Sequence, residues 1–400
     1  MFKALSAAAR YPITSLASAM VLMLAACGGG GSASSGTGTL QMSLTDAPAC
    51  GYDAVNVTIA KLSVNQSGTA SATDAGWVDI PITAQRIDLL TLQNGVLATL
   101  GQTPLAPGKY TQMRLLLADN ASAGAGQPIP NSVLPTGGSE TALTTPSGQQ
   151  TGLKLNVDID IAADKMADFV IDFNACKSIV SAGASGKYLL KPVVSVTPNF
   201  VSGVKGTVDA SIASGAGTAV MLEQPGTSTQ APVVVKATAP DSGGNYVLGP
   251  VAPGTYDLVV TSNGHATAVV TGVVVQDGTV TTIGSALNPP VSTDGTIGGL
   301  VSTGATPIDA SLTVTQALTG GSTIEVTSGP ADSVTGAYAF SLPVGAVSVA
   351  PYASGALTFA ADAAAPGKYT VVATSGGVTK QSSLLTVTAG ATVTAGFSFP

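Results

Sequence analysis

Leu153-Lys-Leu-Asn-Val-Asp-Ile-Asp-Ile161 is apolar at every odd position and polar or charged at every even one. A period of two sends successive side chains to opposite faces of a pleated strand, so one face is buried and the other is wet. The same alternation runs through Leu40, Met42 and Leu44 and through Val55, Val57 and Ile59. Composition extends this reading to the whole chain. Of 400 residues 48 are glycine and 9% are charged, against about 25% charged in an average domain. The only glutamates are Glu140, Glu223 and Glu325, too few to line the wet faces of long helices. A 45% share of hydrophobic residues argues against disorder. The expected fold class is all-β: a multi-domain chain of antiparallel β-sandwiches, with one short helical turn at Ala162–Ala167 in the first domain.

Residues 1–26 read as a cleaved signal peptide. Lys3 and Arg10 precede a mostly apolar stretch, Ile13 to Ala26, of 14 residues. That is too short to span about 30 Å of hydrocarbon. The stretch ends Leu24-Ala25-Ala26-Cys27, which resembles the lipobox of bacterial lipoproteins. The resemblance implies cleavage before Cys27, acylation of that cysteine, and a membrane anchor held by several buried chains. Residues 27–38 are then a Gly/Ser tether. By the sorting rule that goes with the resemblance, Gly28 points to the outer membrane, with the facing, periplasm or cell surface, left open. Loss of Lys3 and Arg10 takes the net charge from −7 to −9, a sign that disfavours nucleic acid and anionic headgroups. With Cys27 lipidated, Cys50 and Cys176 remain, and an oxidising compartment favours a disulfide between them.

A five-residue pattern, Ala-Pro-Gly-x-Tyr, recurs at Ala106–Tyr110, Ala252–Tyr256 and Ala365–Tyr369. Pro then Gly suits the two central positions of a type II turn. A second marker pairs Asp241-Ser-Gly-Gly-Asn-Tyr246 with Asp332-Ser-Val-Thr-Gly-Ala-Tyr338, each a turn opening a strand. These divide the chain into a first domain at 39–199 and sandwiches at 203–288 and 295–400, with Asn288–Asp294 as the hinge. Within the first domain, Ile87–Leu92 and Val96–Leu100 around Asn94-Gly95 read as a hairpin, and residues 120–150 as a long loop.

The first domain resembles the bacterial lipoprotein Domain of Unknown Function 4382 family. The residues that carry this are Ser43-Leu-Thr-Asp-Ala-Pro48, Arg86-Ile-Asp-Leu-Leu90, Tyr110-Thr-Gln-Met-Arg-Leu115, Gly152-Leu-Lys-Leu155, Asp172-Phe-Asn-Ala-Cys176 and Tyr188-Leu-Leu-Lys-Pro192. The family implies a fold and a location and no chemistry. Segments 203–288 and, more loosely, 295–400 resemble carboxypeptidase-regulatory-like or prealbumin-like sandwiches, through Gly206-Thr-Val208, Gly244-Asn-Tyr246, Pro253-Gly-Thr-Tyr256, Gly264-His265 and Gly272-Val-Val-Val275. Folds of this type are often grouped as carbohydrate-binding-like, a label of shape that does not settle function.

Chemistry-bearing residues are sparse. His265 is the only histidine and sits in a turn sequence, with no nucleophile placed beside it. Gly186-Lys187 fails as a phosphate loop, because Ser181 and Tyr188 stand where Gly and Ser/Thr are needed. Asp158, Asp160, Asp164, Asp168 and Asp172 cluster in sequence. Asp158 and Asp160 share a strand face, where a structural calcium could relieve like-charge repulsion; a solvated acidic face is the plainer expectation. A hydrolase using two of these aspartates is a remote alternative. Trp77, the only tryptophan, is expected to pack into its strand's apolar face rather than to stack on a sugar. Tyr110, Tyr256 and Tyr369 read as sandwich corners. The expected function is therefore a non-catalytic binding or adhesion module on the envelope, contacting a glycan or an envelope protein. A periplasm-facing scaffold is the second reading, and no catalytic residue or obligatory cofactor is expected.

Overall fold

The strand Leu153–Ile161 follows its alternation: Leu155, Ile159 and Ile161 are buried, while Lys154, Asn156, Asp158 and Asp160 face solvent. In the computed structural model, which describes residues 36–46, 51–124, 126–145, 151–227 and 230–400, this strand pairs antiparallel with Gly108–Leu117, and that one with Tyr52–Asn65. Seven strands run in the order Ile179–Ser181, Tyr188–Leu190, Thr141–Thr144, Ser132–Pro135, Tyr52–Asn65, Gly108–Leu117, Leu153–Ile161, and Val78–Ile80 and Arg86–Asp88 also pair with Tyr52–Asn65. Facing it is a four-stranded sheet, Val194–Pro198, Met166–Phe173, Gly38–Asp46 and Ala98–Leu105. Leu40, Met42, Leu44, Val55, Val57, Leu62, Ile171 and Phe173 fill the space between the sheets, each fully buried. Burial of each such side chain stabilises by roughly 1.5–3 kcal/mol.

Three local expectations fail here for identifiable reasons. Residues 162–165 form a tight turn rather than a helical one, with Asp164 in the left-handed region at φ 57°. Asp tolerates that region, and the turn carries the chain from one sheet to the other. The first domain's helical turn is Ala175–Ser178, opened by the Asn174 side chain accepting from the Lys177 N–H at 2.9 Å. Asn94 and Gly95 do adopt positive φ, 61° and 78°, yet their flanks do not form a hairpin. Arg86–Asp88 joins the larger sheet and Ala98–Leu105 the smaller one, with the 3-10 turn Leu89–Leu92 between them. Inside the span read as a loop, Ser132–Pro135 pairs antiparallel with Thr141–Thr144.

The second sandwich stacks Asn245–Leu248, Gly203–Thr207 and Val280–Thr282 against a sheet ordered Val233–Thr238, Ala219–Gln224, Gly254–Thr261, Ala268–Val275. That sheet continues into strands from the following segment: Ser348–Pro351 adds in parallel to Ala268–Val275, and Ala360–Ala361 adds to Ser348–Pro351. Tyr352, Leu357 and Phe359 of the same excursion pack on the second sandwich's core. The third sandwich closes without it. Ala337–Pro343, Asp294–Ser302 and Thr392–Thr394 form one sheet, and Thr323–Pro330, Ala310–Ala317, Lys368–Ser375 and Val378–Gln381 the other. The late position of Ala365-Pro-Gly-Lys-Tyr369 thus reflects an insertion spent on the neighbouring domain. Thr37–Pro400 is a single compact unit.

Candidate functional site

Two of the chain's three glutamates meet where the three domains join. Glu223 lies on Ala219–Gln224 of the second sandwich and is 0% exposed; Glu325 lies on Thr323–Pro330 of the third and is 5% exposed. The backbone N–H of Glu325 donates to one Glu223 carboxyl oxygen at 2.9 Å, and the other Glu223 oxygen has no hydrogen-bond partner among the described residues. Glu325 in turn receives the Lys177 ammonium of the first domain at 3.0 Å and the Ser328 hydroxyl at 2.5 Å. Burial pushes the Glu223 carboxyl well above the usual carboxylate range, against the hydrogen bond from Glu325; the charges of Glu325 and Asp257 push the same way and Lys177 opposes them. Burial also raises Asp257, whose carboxylate accepts from the Gly272 N–H at 3.0 Å.

Further polar contacts tie the same domains together. Lys236 of the second sandwich, its side chain 4% exposed, reaches Asp172 of the first at 2.7 Å. Asp332, in the turn marker of the third sandwich, accepts from the Gly183 N–H at 2.7 Å and the Ser181 hydroxyl at 3.0 Å. Burial works against the Asp332 carboxylate, but the N–H groups of Thr335, Val334 and Gly183 prevail and hold its pKa far below the ordinary value. Lys191 pairs with Asp309 at 3.0 Å, and Asn94 bridges to Thr238 and Asn245. A cleft of about 890 Å³ beside the junction is lined by Asp257, Thr271, Leu318, Ser322 and Asp362, but not by Glu223. The junction's chemistry is that of a lock: paired charges fix three bodies in one arrangement, since an unpaired buried charge is costly.

The sequence's own candidates are dispersed. Asp158 pairs with Lys109 at 2.7 Å on the wet face, and the neighbouring Asp160 raises the Lys109 pKa further. Asp168 accepts from Asn199 at 2.9 Å on the opposite sheet, and Asp172 serves the junction. Among the described residues no group of three or more His, Cys, Asp or Glu is arranged to hold a metal ion. His Nδ1 of residue 265 contacts the Asn263 carbonyl at 3.2 Å. Tyr110 and Tyr256 each donate a hydroxyl back to the alanine four residues earlier, at 3.2 and 2.9 Å, whereas Tyr369 turns to the Pro343 carbonyl. Gly254 lacks the positive φ that a type II turn would need, so these tyrosine bonds, rather than the turn type, are what the first two copies share. Trp77 departs from expectation, being in none of the three apolar cores. Cys27 and Cys50 lie outside the described residues; Cys176, half-buried on the helical turn, is not a free thiol.

The junction was missed in sequence because no motif marks it. A signal was present nonetheless: in a chain with three glutamates, two stand inside apolar strands, Val220-Met-Leu-Glu223 and Ile324-Glu-Val326.

Residues 37–192 match the profile of the family described as Domain of unknown function (DUF4382). The sequence motifs assigned to that family therefore lie in the segment that carries Lys177 and Asp172. No curated protein matches the chain. Among solved structures it is similar to the Bacillus anthracis TIE protein, at 14% identity and TM-score 0.18, covering 91% of this chain and 51% of that one. It is also similar to a leucine-rich repeat protein from Bacteroides thetaiotaomicron (13%, TM-score 0.18, 49% and 26% covered). A third is the Corynebacterium diphtheriae major pilin SpaA (13%, TM-score 0.19, 90% and 99% covered). The chain spans about half the length of the first and a quarter of the second.

Proposed function

We propose that the chain is a lipid-anchored envelope protein acting as a rigid, non-catalytic module, for adhesion or for scaffolding other envelope proteins. The observation that carries this is the junction. Lys177, Glu223 and Glu325 come from three different domains, and one fully buried carboxyl binds the second to the third. Independent binding domains on a flexible string would have no need to bury charge between them, whereas a module that transmits force or holds a fixed spacing would. The excursion of 348–361 onto the second sandwich serves the same end. Anchoring through an acylated Cys27, an outer-membrane address and a Cys50–Cys176 disulfide complete the proposal, all resting on the sequence.

The test combines labelling with protease treatment of intact cells. Wild-type chain should incorporate labelled palmitate and Cys27→Ser should not. Digestion from outside would select adhesion; protection until permeabilisation would select the scaffold. Recovery of unlipidated chain in the soluble fraction, or rapid cleavage at 199–203 and 288–294 into three separate domains, would overturn the proposal.

A further inference from the structure

The chain's one tryptophan is not used in a core. Trp77 sits at the end of the loop that follows Tyr52–Asn65, and this loop is held down at several points. The indole N–H donates to the Ser71 carbonyl at 2.9 Å, Asp74 caps the Ser71 N–H at 2.8 Å and its hydroxyl at 2.6 Å, and the Thr111 hydroxyl holds the Gln66 carbonyl at 2.7 Å. Arg114 lies with its guanidinium 5.1 Å from the centre of the Trp77 ring. Two backbone carbonyls fix that guanidinium, Thr151 at 2.8 Å and Ala70 at 3.3 Å. Both planar groups are therefore set before any ligand arrives, which lowers the ordering cost of binding. Together they line a groove of about 310 Å³ on the outer face of the larger sheet, with Lys61, Ser63, Asp74 and Leu116. Asp79 stands at its edge, paired with Lys61 at 3.0 Å and receiving the Ser63 hydroxyl at 2.8 Å.

A chain with 4% aromatic residues that leaves its sole tryptophan on a braced outer groove is using it for contact. We propose that this groove binds an uncharged hexopyranose unit of a glycan. Arg114 covers one face of the indole; the apolar C–H face of such a ring lies against the other, and its hydroxyls both donate to Asp74 and Asp79 and accept from Lys61. Two cations, Lys61 and Arg114, balance two carboxylates, Asp74 and Asp79, so the groove offers hydrogen bonds of both senses without favouring either charge. This deepens the non-catalytic module proposed above by giving its first domain a ligand class.

Because Trp77 is the only tryptophan, its emission reports on the groove alone. Titration of the full mature chain with cellohexaose, chitohexaose and maltohexaose should give, with at least one of them, a saturable change in that emission. Lys61→Ala and Asp79→Ala alter side chains 52% and 57% exposed, so both variants should fold. Each should weaken binding roughly tenfold, the scale of one lost polar contact, and Lys61→Ala should do so with an unchanged melting temperature. No saturable change with any of the three sugars, or a change that both variants leave intact, overturns the proposal. A response to polygalacturonate alone overturns the uncharged assignment. Neither failure bears on rigidity or anchoring, which stand or fall on the labelling and protease experiment.

Discussion

The backbone N–H of Glu325 donates to the Glu223 carboxyl at 2.9 Å, joining a strand of the third sandwich to a strand of the second through a side chain with no exposed surface. A neutral carboxyl still accepts this bond through its carbonyl oxygen, more weakly than a carboxylate does, and burial, the larger effect, favours the neutral form. The join therefore costs least when Glu223 keeps its proton.

This gives a pH dependence of definite sign. An acid whose folded pKa exceeds its unfolded value, about 4.3 for Glu, leaves stability intact below the unfolded value. It removes stability progressively as pH rises toward the folded value. Glu223→Gln keeps the acceptor and removes the titration. Its melting temperature should equal or fall slightly below wild type at pH 4 and exceed it at pH 8 by about 2–4 °C, the size expected for 1 kcal/mol in a large domain. A difference independent of pH, measured by calorimetry at both values, would refute this.

Among the described residues, Lys236 and Asp172 form the most enclosed ion pair, their side chains 4% and 16% exposed. Removing one partner leaves the other charge buried alone, so Lys236→Met should destabilise by about 3 kcal/mol. The double variant Lys236→Met with Asp172→Leu should recover most of that loss, because two apolar side chains of similar size need no counter-charge. Denaturant unfolding of the two singles and the double measures the coupling; additive losses would show that the pair is not felt as a pair.

The sheets were legible where one face is wet. Period-two alternation at Leu40–Leu44, Val55–Ile59 and Leu153–Ile161 fixed strand and inward face together, because only one register buries the apolar set. It was silent about which sheet a strand enters. Asn94-Gly95 shows the limit: both residues take the positive φ that a tight turn asks for, but Ala98–Leu105 pairs with Gly38–Asp46 of the smaller sheet and not with its sequence neighbour. The junction was illegible for a related reason. Glu223, Glu325 and Lys177 are brought together by domain packing, and nothing local to any of them records the other two. Trp77 was misread because it adjoins the apolar strand Val78–Ile80, although period two sets it on the face opposite Val78 and Ile80, and the loop before it is held through backbone carbonyls that have no sequence signature.

The tyrosine corners offer a cleaner comparison. Tyr110 and Tyr256 close the same short ring to Ala106 and Ala252, and Tyr369 reaches across to Pro343. Each Tyr→Phe change should cost about 1 kcal/mol, the net worth of one hydrogen bond. Tyr369→Phe should cost most, since Tyr369 is 1% exposed and the Pro343 carbonyl is left with its partner removed inside the third sandwich. Equal losses at all three sites in thermal unfolding would show that the wider span adds nothing.

The excursion onto the second sandwich makes a prediction that separates the two domains it links. Ala350 is 0% exposed in the parallel strand Ser348–Pro351, opposite Val270. Ala350→Glu places a charge where no counter-charge lies in register, so the strand should detach from Ala268–Val275 rather than bury it. Both sheets of the third sandwich are complete without residues 348–361 and should stay folded. Chymotrypsin should then cut the variant at Tyr352, Leu357 or Phe359, residues that pack on the second core in the wild type. Mass spectrometry of the fragments should find both halves of the third sandwich still associated under native conditions. If wild type and variant are cut at equal rates, the excursion is not held by that strand. If the halves separate, the third sandwich depends on the link, and the two domains are one folding unit rather than two joined ones.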